Sequence, residues 1–280
     1  MRLLISALAL LTASISGTSL AAQACGGAET PCVIDSGTYH IVLPETASVK
    51  GAVMHLHGGG GTGKGLLGSG LAQEALSRGY IFIAPNGEHP GARFPNNWAV
   101  RAQNFGHDKN DIDFLHDVIA DVEERHGIDR RRLLLAGFSR GGSMVWDVAC
   151  EAPGFAHAYA PAAGAFWDEL PTNCAGPVRL FHTHGWADRT VPLEGRPLWD
   201  GKIAQGDVYA SLAIIRAVNG CTGRQPDTTT VEGNHWRRSW TACDGGQLDL
   251  LLHPGGHGAP TGWAELVLDW FEEHLTETGD

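Results

Sequence analysis

A serine lies between two glycines in residues 137–141, Gly-Phe-Ser-Arg-Gly, and this segment constrains the fold more than any other part of the sequence. It follows the apolar run 133–136 and precedes a predicted helix over 142–150. The glycines permit a turn so tight that a Cβ at either flank would collide with neighbouring backbone. A serine in this pattern, at a strand-to-helix turn, is typical of a nucleophile elbow, which holds the hydroxyl at the top of a sheet.

The rest of the chain alternates between strand-like and helix-like segments. Strands are predicted over residues 38–43, 51–57, 80–84, 132–137, 156–161, 178–184 and 247–253, and helices over 66–78, 111–126, 142–150, 206–218 and 263–275. This alternation predicts an α/β protein with a mostly parallel, doubly wound sheet and helices on both faces. The irregular stretches 85–107 and 185–205 follow strands, where such folds usually build their sites.

The first 24 residues have the features of a secretory signal peptide: a positive start, an apolar stretch over 3–11 and small residues that allow cleavage after residue 21, 22 or 24. A lipid anchor on Cys25 is the alternative, but the residues before it match the usual small-residue box poorly. No other run approaches the ~20 apolar residues of a membrane span. We expect a secreted or periplasmic, monomeric protein whose mature chain, 25–280, is one catalytic domain.

Charge and cysteine content narrow the function classes further. The net charge of −11 argues against a nucleic-acid-binding protein, which would carry a basic face. All six cysteines follow the signal segment, and an even count in an exported chain predicts disulfides. Six cysteines allow 15 pairings. Sequence proximity suggests Cys25–Cys32, Cys150–Cys174 and Cys221–Cys243, with buried free thiols as the alternative.

A serine hydroxyl needs a base to take its proton and a carboxylate to orient that base. In doubly wound hydrolases the chain order is serine, acid, histidine. The predicted acid is Asp188, in a turn directly after the strand 178–184. Asp200 and Asp207 are competitors, but neither directly follows a strand. A turn or helix-capping aspartate is the plain alternative for Asp188.

The predicted base is His257, which follows the strand 247–253 and precedes the last helix. Glycines on both sides let its loop bring the imidazole up to Ser139. His253 is the rival, but it lies at the end of the strand itself. Together, Ser139, Asp188 and His257 have the order that a catalytic triad of this fold requires.

Two backbone donors are needed for the oxyanion of an acyl-transfer reaction. The N–H of Arg140, directly after the serine, is one candidate. The other is expected in residues 57–61, His-Gly-Gly-Gly-Gly, which match the HGGG type of loop. Gly59 is the first choice, with Gly58 and Gly60 as alternatives. His57 is expected to brace the loop rather than to react.

Two other chemistries have partial support in the sequence. Residues 58–65 nearly match the phosphate-binding pattern G-x-x-x-x-G-K-[ST], but Gly65 stands where the magnesium-binding Ser or Thr belongs. The pairs His55/His57 and His182/His184 point to one face of a strand each, as metal ligands could, yet no third ligand follows at a suitable spacing. We expect neither metal nor cofactor, and histidines packed or hydrogen-bonded near the site.

The chain resembles the secreted polyhydroxybutyrate depolymerase and feruloyl esterase group of α/β-hydrolases over nearly all of its mature length. The resemblance is carried by Cys25 and Pro31-Cys32, the loop 57–61, the run 111–115, the elbow 137–142 followed by Cys150, the acid loop with Val191-Pro192, the segment 219–221, Cys243 and the segment 255–257. It implies an α/β-hydrolase fold, the triad named above, the three local disulfides and a serine esterase acting on a small-molecule or polymer ester.

Substrate choice is the open question. We expect hydroxyalkanoate oligomers or polymers, soluble or amorphous rather than crystalline, with feruloyl or acetylxylan esters as the alternative and a peptidase or a non-catalytic binding protein as remote ones. Trp186 and Trp98 are predicted to line the acyl pocket, whereas Phe138 is as well explained by packing. Arg140 replaces the asparagine common in the family, and its side chain is expected to be solvated or salt-bridged. Residues 258–260 also depart from the family's pattern.

Overall fold

A computed structural model describes residues 25–27, 29–46, 48–90, 92, 94–100 and 109–276. The predicted signal peptide lies outside these residues. The strands are β1 (Cys32–Ile34), β2 (Gly37–Val42), β3 (Gly51–Leu56), β4 (Tyr80–Pro85), β5 (Leu133–Phe138), β6 (Ala158–Ala162), β7 (Arg179–Gly185), β8 (Arg196–Leu198), β9 (Ile203–Gln205), β10 (Thr228–Glu232), β11 (His235–Trp240) and β12 (Gln247–His253). The α-helices are α1 (Gly63–Leu66), α2 (Gly70–Ser77), α3 (Asp111–His126), α4 (Arg140–Glu151), α5 (Val208–Val218) and α6 (Trp263–Thr276).

In this part of the chain, ten strands form one sheet in the order β1-β2-β4-β3-β5-β6-β7-β12-β11-β10. The six central strands, from β4 to β12, pair in parallel, and antiparallel strands extend the sheet at both ends. All residues of β3, β4 and β6 are buried, as expected for parallel strands with both faces covered. The predicted mostly parallel sheet is confirmed.

Two apolar clusters cover the two faces of the sheet. Side chains alternate along β3, so that Met54 packs with α3, α4 and α5 on one face. Its neighbour Val53 packs with α2 and α6 on the other face. The helices therefore lie on both sides of the sheet. The carboxyl ends of the parallel strands meet at one edge, which we call the catalytic edge.

Two features of the fold differ from the sequence prediction. The helix predicted over 66–78 begins later, at Gly70, because the Ser69 hydroxyl accepts from the N–H of Ala72 and caps α2, and only Leu66 of the predicted range belongs to α1. The strands β1, β8, β9, β10 and β11 were not predicted. The helix α3 was predicted with its exact bounds, and Gly127 ends it with a φ of 64° in the left-handed region.

Three disulfides join Cys25 to Cys32, Cys150 to Cys174 and Cys221 to Cys243, the pairs suggested by sequence proximity. Cys25–Cys32 ties the segment before β1 to its first residue, Cys150–Cys174 ties the last turn of α4, and Cys221–Cys243 joins the segments that follow α5 and β11. Among the residues described, no helix has the length and apolar character needed to cross a membrane.

Candidate active site

The turn between β5 and α4 exposes a serine in a conformation that side-chain-bearing residues rarely adopt. Ser139 has φ 55° and ψ −118°. A Cβ on Gly137 would lie 2.4 Å from the carbonyl oxygen of Gly141, and one on Gly141 would lie 2.3 Å from that of Leu56. Both glycines are thus required by backbone contact, as the sequence pattern predicted, and the strained turn directs the serine side chain away from the sheet.

Three side chains from separate loops meet at the catalytic edge. His257 Nε2 lies 2.8 Å from Ser139 Oγ. On the other side of the ring, His257 Nδ1 lies 2.8 Å from Asp188 Oδ2. Because the carboxylate can only accept, Nδ1 carries the proton and leaves Nε2 free to accept the serine proton. The structure therefore brings together the serine, histidine and aspartate named from the sequence.

The carboxylate of Asp188 is held on both of its oxygens. Oδ1 accepts from the backbone N–H of Thr190 at 2.8 Å and of Val191 at 2.9 Å, while Oδ2 faces His257. The side chain is fully buried. These bonds satisfy a buried charge and determine which oxygen the imidazole meets.

The rival residues have other partners. Asp207 caps α5 by accepting from the N–H of Ala210 at 2.7 Å, and Asp200 is exposed. His253 accepts from the N–H of Gly255 at 3.1 Å and contacts the Gly258 carbonyl at 3.0 Å. His253 thus braces the loop that carries His257.

The glycine loop after β3 lies against the elbow. Gly60 and Gly61 donate their N–H groups to the carbonyls of Asn96 and Gly58, at 2.6 and 2.9 Å. Gly59 donates no hydrogen bond to any described residue. A Cβ added to Gly59 would lie 3.8 Å from Arg140 Cβ. Gly59 therefore retains an N–H for a ligand next to the first turn of α4, whereas Gly60 does not.

His57 braces this loop, as expected. Its Nε2 accepts from the N–H of Gly87 at 2.9 Å, and its Nδ1 donates to the Gly58 carbonyl at 2.8 Å. Burial lowers the pKa of His57, so the ring is neutral and fits this donor and acceptor pair.

Trp98 was predicted to line the acyl pocket, and this prediction is wrong. The indole is fully buried, donates from Nε1 to the His57 carbonyl at 2.8 Å and packs on the His57 ring. It supports the glycine loop from below and has no surface for a substrate. The sequence placed Trp98 in a loop near the site but could not show which way the indole points.

Of the two states expected for the Arg140 side chain, solvated or salt-bridged, the structure rules out the first. The side chain is buried rather than solvated, donates from Nε to the Trp98 carbonyl at 3.0 Å and lies 4.5 Å from the Trp167 ring centroid. Burial lowers the pKa of Arg140 to about 9. The negative charges of Asp147 and Asp111 offset part of this effect, because they favour the charged guanidinium. The guanidinium stabilises the underside of the site and is still charged at neutral pH.

A buried histidine pair supports the acid loop from β7. His184 Nε2 donates to the Val191 carbonyl at 2.8 Å and lies 3.5 Å from Asp188 Oδ2. His184 Nδ1 accepts from His182 Nε2 at 3.1 Å. Burial lowers the pKa of both rings, so both are neutral. Sequence reasoning assigned this pair to packing near the site, and its position two residues apart at a strand end was the available signal.

Aromatic side chains surround the catalytic edge. Phe138 packs on His257 with ring centroids 5.0 Å apart. Trp186 is 49% exposed and meets Trp236, itself 43% exposed, edge to face at 6.3 Å. Trp186 thus has the exposure that contact with a substrate requires. Within the described residues, no cluster of three or more metal-ligating side chains is found.

The known proteins to which this chain is similar include several esterases. No family model matches the sequence. The chain is 27% identical over 198 residues to feruloyl esterase C of Emericella nidulans, covering 68% of this chain and 62% of that protein. It is 27% identical over 207 residues to feruloyl esterase B of Piromyces equi, and the match covers 70% of this chain and 37% of that protein. A bifunctional acetylxylan esterase/xylanase of Neocallimastix patriciarum is 23% identical over 201 residues, and the match covers 70% of this chain and 26% of that protein. The chain thus spans about three fifths or less of the length of these relatives.

Solved structures agree on the architecture. An acetyl xylan esterase from Aspergillus awamori superposes with a TM-score of 0.61 at 17% identity, covering 84% of this chain and 93% of that one. The Bacillus cereus carboxylesterase superposes with a TM-score of 0.59 at 14% identity, and the match covers 84% of this chain and 93% of that one. At sequence identities this low, the structural similarity shows a shared fold and nothing more. Together with the mostly parallel sheet and its two helical layers, it shows that this chain has the α/β-hydrolase fold.

Proposed function

We propose that the protein is a serine carboxylic-ester hydrolase with Ser139 as nucleophile, His257 as general base and acid, and Asp188 as the residue that orients His257. The observation that carries the proposal is the chain of 2.8 Å contacts from Asp188 through His257 to the strained serine. The esterase names of the relatives support the same reaction class.

In the first half-reaction, Ser139 Oγ attacks the acyl carbon while His257 Nε2 takes the hydroxyl proton. The backbone N–H groups of Gly59 and Arg140 donate to the oxyanion of the tetrahedral intermediate. His257 then gives its proton to the leaving alcohol, and the acyl group remains on the serine. Asp188 stabilises the imidazolium that forms between these steps.

In the second half-reaction, a water molecule loses a proton to His257 and attacks the acyl-enzyme. The tetrahedral intermediate collapses, His257 returns the proton to Ser139 Oγ, and the carboxylic acid leaves. The buried pair His182 and His184 braces the acid loop throughout, because His184 donates to the Val191 carbonyl and His182 in turn donates to His184.

For the substrate, we propose feruloyl or acetyl esters of plant cell-wall polysaccharides. The names of the curated relatives support this class over the hydroxyalkanoates expected from sequence. The exposed pair Trp186 and Trp236 also supports it, since flat aromatic faces suit both phenolic acyl groups and sugars. We further propose a monomeric, exported enzyme, in keeping with the three disulfides.

The test is a substrate panel run on wild type, Ser139→Ala and the matched surface variant Ser77→Ala. The panel contains p-nitrophenyl acetate, methyl ferulate, acetylated xylan, hydroxybutyrate oligomers and a peptide amide. We expect wild type and Ser77→Ala to cleave the acetyl or feruloyl esters fastest, and Ser139→Ala to lose turnover while its circular dichroism is unchanged. Full activity in Ser139→Ala would overturn the nucleophile, and faster cleavage of hydroxybutyrate oligomers would overturn the substrate class.

A further inference from the structure

Two exposed aromatic side chains from separate loops stack on each other and have no role in the steps proposed for Ser139. The rings of Phe94 and Trp199 have centroids 5.8 Å apart and planes 16° from parallel. Phe94 is 38% exposed and Trp199 is 42% exposed. Single exposed apolar side chains are common, but two that stack across separate loops form an ordered surface. We call this pair the aromatic platform.

The backbone holds Trp199 in a conformation that costs free energy. Trp199 lies in the turn between β8 and β9 with a φ of 50°, and Asp200 follows it with a φ of 57°. Both values are in the left-handed region, which glycine adopts readily and residues with a side chain rarely do. A tryptophan in such a turn that is also exposed indicates a function for its position, because its burial in the core does not account for it.

The loop that carries Phe94 is bonded to the oxyanion loop. Phe94 lies two residues before Asn96, so their Cα atoms are at most about 7 Å apart. The Asn96 carbonyl accepts from the N–H of Gly60 at 2.6 Å. Gly60 directly follows Gly59, the proposed oxyanion donor. A backbone hydrogen bond therefore holds the Phe94 loop at the catalytic edge.

The hairpin that carries Trp199 is bonded to the other side of the nucleophile. Its second strand, β9, forms a bridge between Gln205 and Trp167. The Trp167 ring centroid lies 4.5 Å from the guanidinium carbon of Arg140, which directly follows Ser139. Both loops of the aromatic platform are thus attached to the structure around Ser139, and the platform lies beside the catalytic edge.

The size of the aromatic platform limits its partner. Large aromatic side chains have areas of about 150–250 Å², so each ring of the platform exposes roughly 60–100 Å². A stable protein interface buries about 800 Å² on each partner, which is several times more. The platform is large enough for the face of a sugar ring. The C–H groups on the face of a pyranose are apolar and stack on an aromatic ring, while its hydroxyl groups point outward to water.

The direction of a bound polymer follows from the order of the strands. The loop with Phe94 follows β4, whereas the exposed Trp236 lies on β11. In the sheet, β4 and β11 lie on opposite sides of β5, which leads into Ser139. A polysaccharide whose ester group lies at Ser139 continues in both directions, so a chain that passes Trp236 on one side can reach the aromatic platform on the other.

We propose that the aromatic platform binds the polysaccharide chain of the substrate, by stacking of a pyranose ring on Trp199 and Phe94, away from the ester that is cleaved. This proposal rests on the polysaccharide substrate class proposed above and adds a binding site for the unreacting part of the chain. The platform keeps the polymer on the enzyme and takes no part in the chemistry. A small ester such as methyl ferulate therefore gains nothing from it.

The binding test uses Ser139→Ala, which removes turnover, with deacetylated xylan as the probe in affinity electrophoresis. Adding Trp199→Ala should weaken xylan binding about fivefold, and Phe94→Ala should weaken it as well. Trp199→Phe should retain part of the binding, because an aromatic face remains. Leu43→Ala is the matched control, since Leu43 is 50% exposed and follows β2 near the amino end of β4, away from the catalytic edge. Thermal unfolding of each variant checks that it is folded.

A kinetic test separates the aromatic platform from the catalytic residues. In the active enzyme, Trp199→Ala should raise KM for acetylated xylan about fivefold and leave kcat unchanged. Methyl ferulate and p-nitrophenyl acetate should be hydrolysed as by wild type. An equal rise in KM for methyl ferulate would place Trp199 at the reacting ester and would overturn the proposal.

The binding test has two further outcomes that would overturn the proposal: unchanged xylan binding by folded Trp199→Ala, or no xylan binding by Ser139→Ala itself. If the protein binds xylan through Trp199 but leaves acetylated xylan uncleaved, the platform stands and the proposed substrate class fails. Hydrolysis of p-nitrophenyl acetate by wild type, and its loss in Ser139→Ala, test the esterase without involving the platform. The two proposals can therefore fail independently.

Discussion

The catalytic edge has a closely packed floor, formed by Gly137, Ser139, Gly141, Asp188 and His257, and an exposed rim, formed by Trp186 and Trp236. In the floor, an added methyl group would meet backbone oxygen at 2.3–2.4 Å. In the rim, the aromatic side chains are 43–49% exposed. The two regions lie side by side but are built in different ways.

Because of this difference, we expect the floor to determine the rate of the reaction and the rim to determine which substrates bind. The floor is defined by backbone contacts and by hydrogen bonds on every polar atom of Asp188, so small changes there cannot be absorbed. The rim rests on side chains that contact each other and solvent, the rings of Trp186 and Trp236. We expect floor variants to affect every substrate alike and rim variants to affect some substrates only.

The largest effect is expected for Asp188→Asn. The amide nitrogen would donate to His257 Nδ1, the ring would carry its proton on Nε2, and it could no longer accept the proton of Ser139. Turnover of every ester substrate should fall about 10⁴-fold. Steady-state kinetics on p-nitrophenyl acetate measure this, with Asp200→Asn as the control on an exposed aspartate. A rate within tenfold of wild type would show that Asp188 does not orient His257 for catalysis.

Behind the floor, His55→Leu should change the pH dependence of stability. The pKa of His55 is lowered from 6.5 to about 4 by burial, so the unfolded chain binds its proton at a higher pH than the folded one. The protonation of His55 therefore contributes nothing to the free energy of unfolding well above pH 6.5, and its penalty grows as the pH falls to about 4, where it reaches about 3 kcal/mol. Urea unfolding at pH 7.5 and pH 4 should show the variant gaining that amount relative to wild type, whereas parallel curves would contradict the burial argument.

Gly141→Ala tests the close packing of the floor. The added Cβ would lie 2.3 Å from the Leu56 carbonyl oxygen and 2.5 Å from that of His57, so backbone must move. We expect a loss of about 2 kcal/mol in the free energy of unfolding, together with lower kcat on all esters. Gly154→Ala is the control, because its Cβ would meet nothing within 4 Å. Equal changes in the two variants would show that contact at the elbow is not the cause.

The smallest effect is expected in the rim. Trp186→Ala or Trp236→Ala should raise KM for methyl ferulate or acetylated xylan roughly 3- to 10-fold, or about 1 kcal/mol, and leave p-nitrophenyl acetate unaffected. Val33→Ala, a 71% exposed position on β1 at the other end of the sheet, is the control. An equal loss on all three substrates would indicate that the rim also shapes the chemistry.

Much of the fold could be predicted because parallel strands and amphipathic helices have strong patterns. The apolar β3, β4 and β5 and the helix α3 were found close to their observed bounds. The hairpin of β10 and β11 was missed, because β10 is exposed along its whole length and is not apolar in pattern. The helix predicted over 66–78 started too early because Leu66 and Leu67 extend the apolar pattern, whereas the Ser69 hydroxyl caps α2 and starts it at Gly70.

The site was predictable where chain order limits the choices. Ser139, Asp188 and His257 were named from their positions after strands, and the structure brings them together. The burial of Trp98 and of the Arg140 side chain could not be predicted, because both depend on how a loop folds back over the sheet.

The central claim is that Ser139 is the reactive nucleophile, and covalent labelling tests it most directly. The protein is incubated with a fluorophosphonate, digested and mapped by mass spectrometry. The account predicts one phosphonyl adduct, on Ser139, formed in step with the loss of esterase activity and at least 100-fold more slowly in His257→Ala. An adduct on another residue accompanying that loss, with Ser139 unmodified, would contradict it.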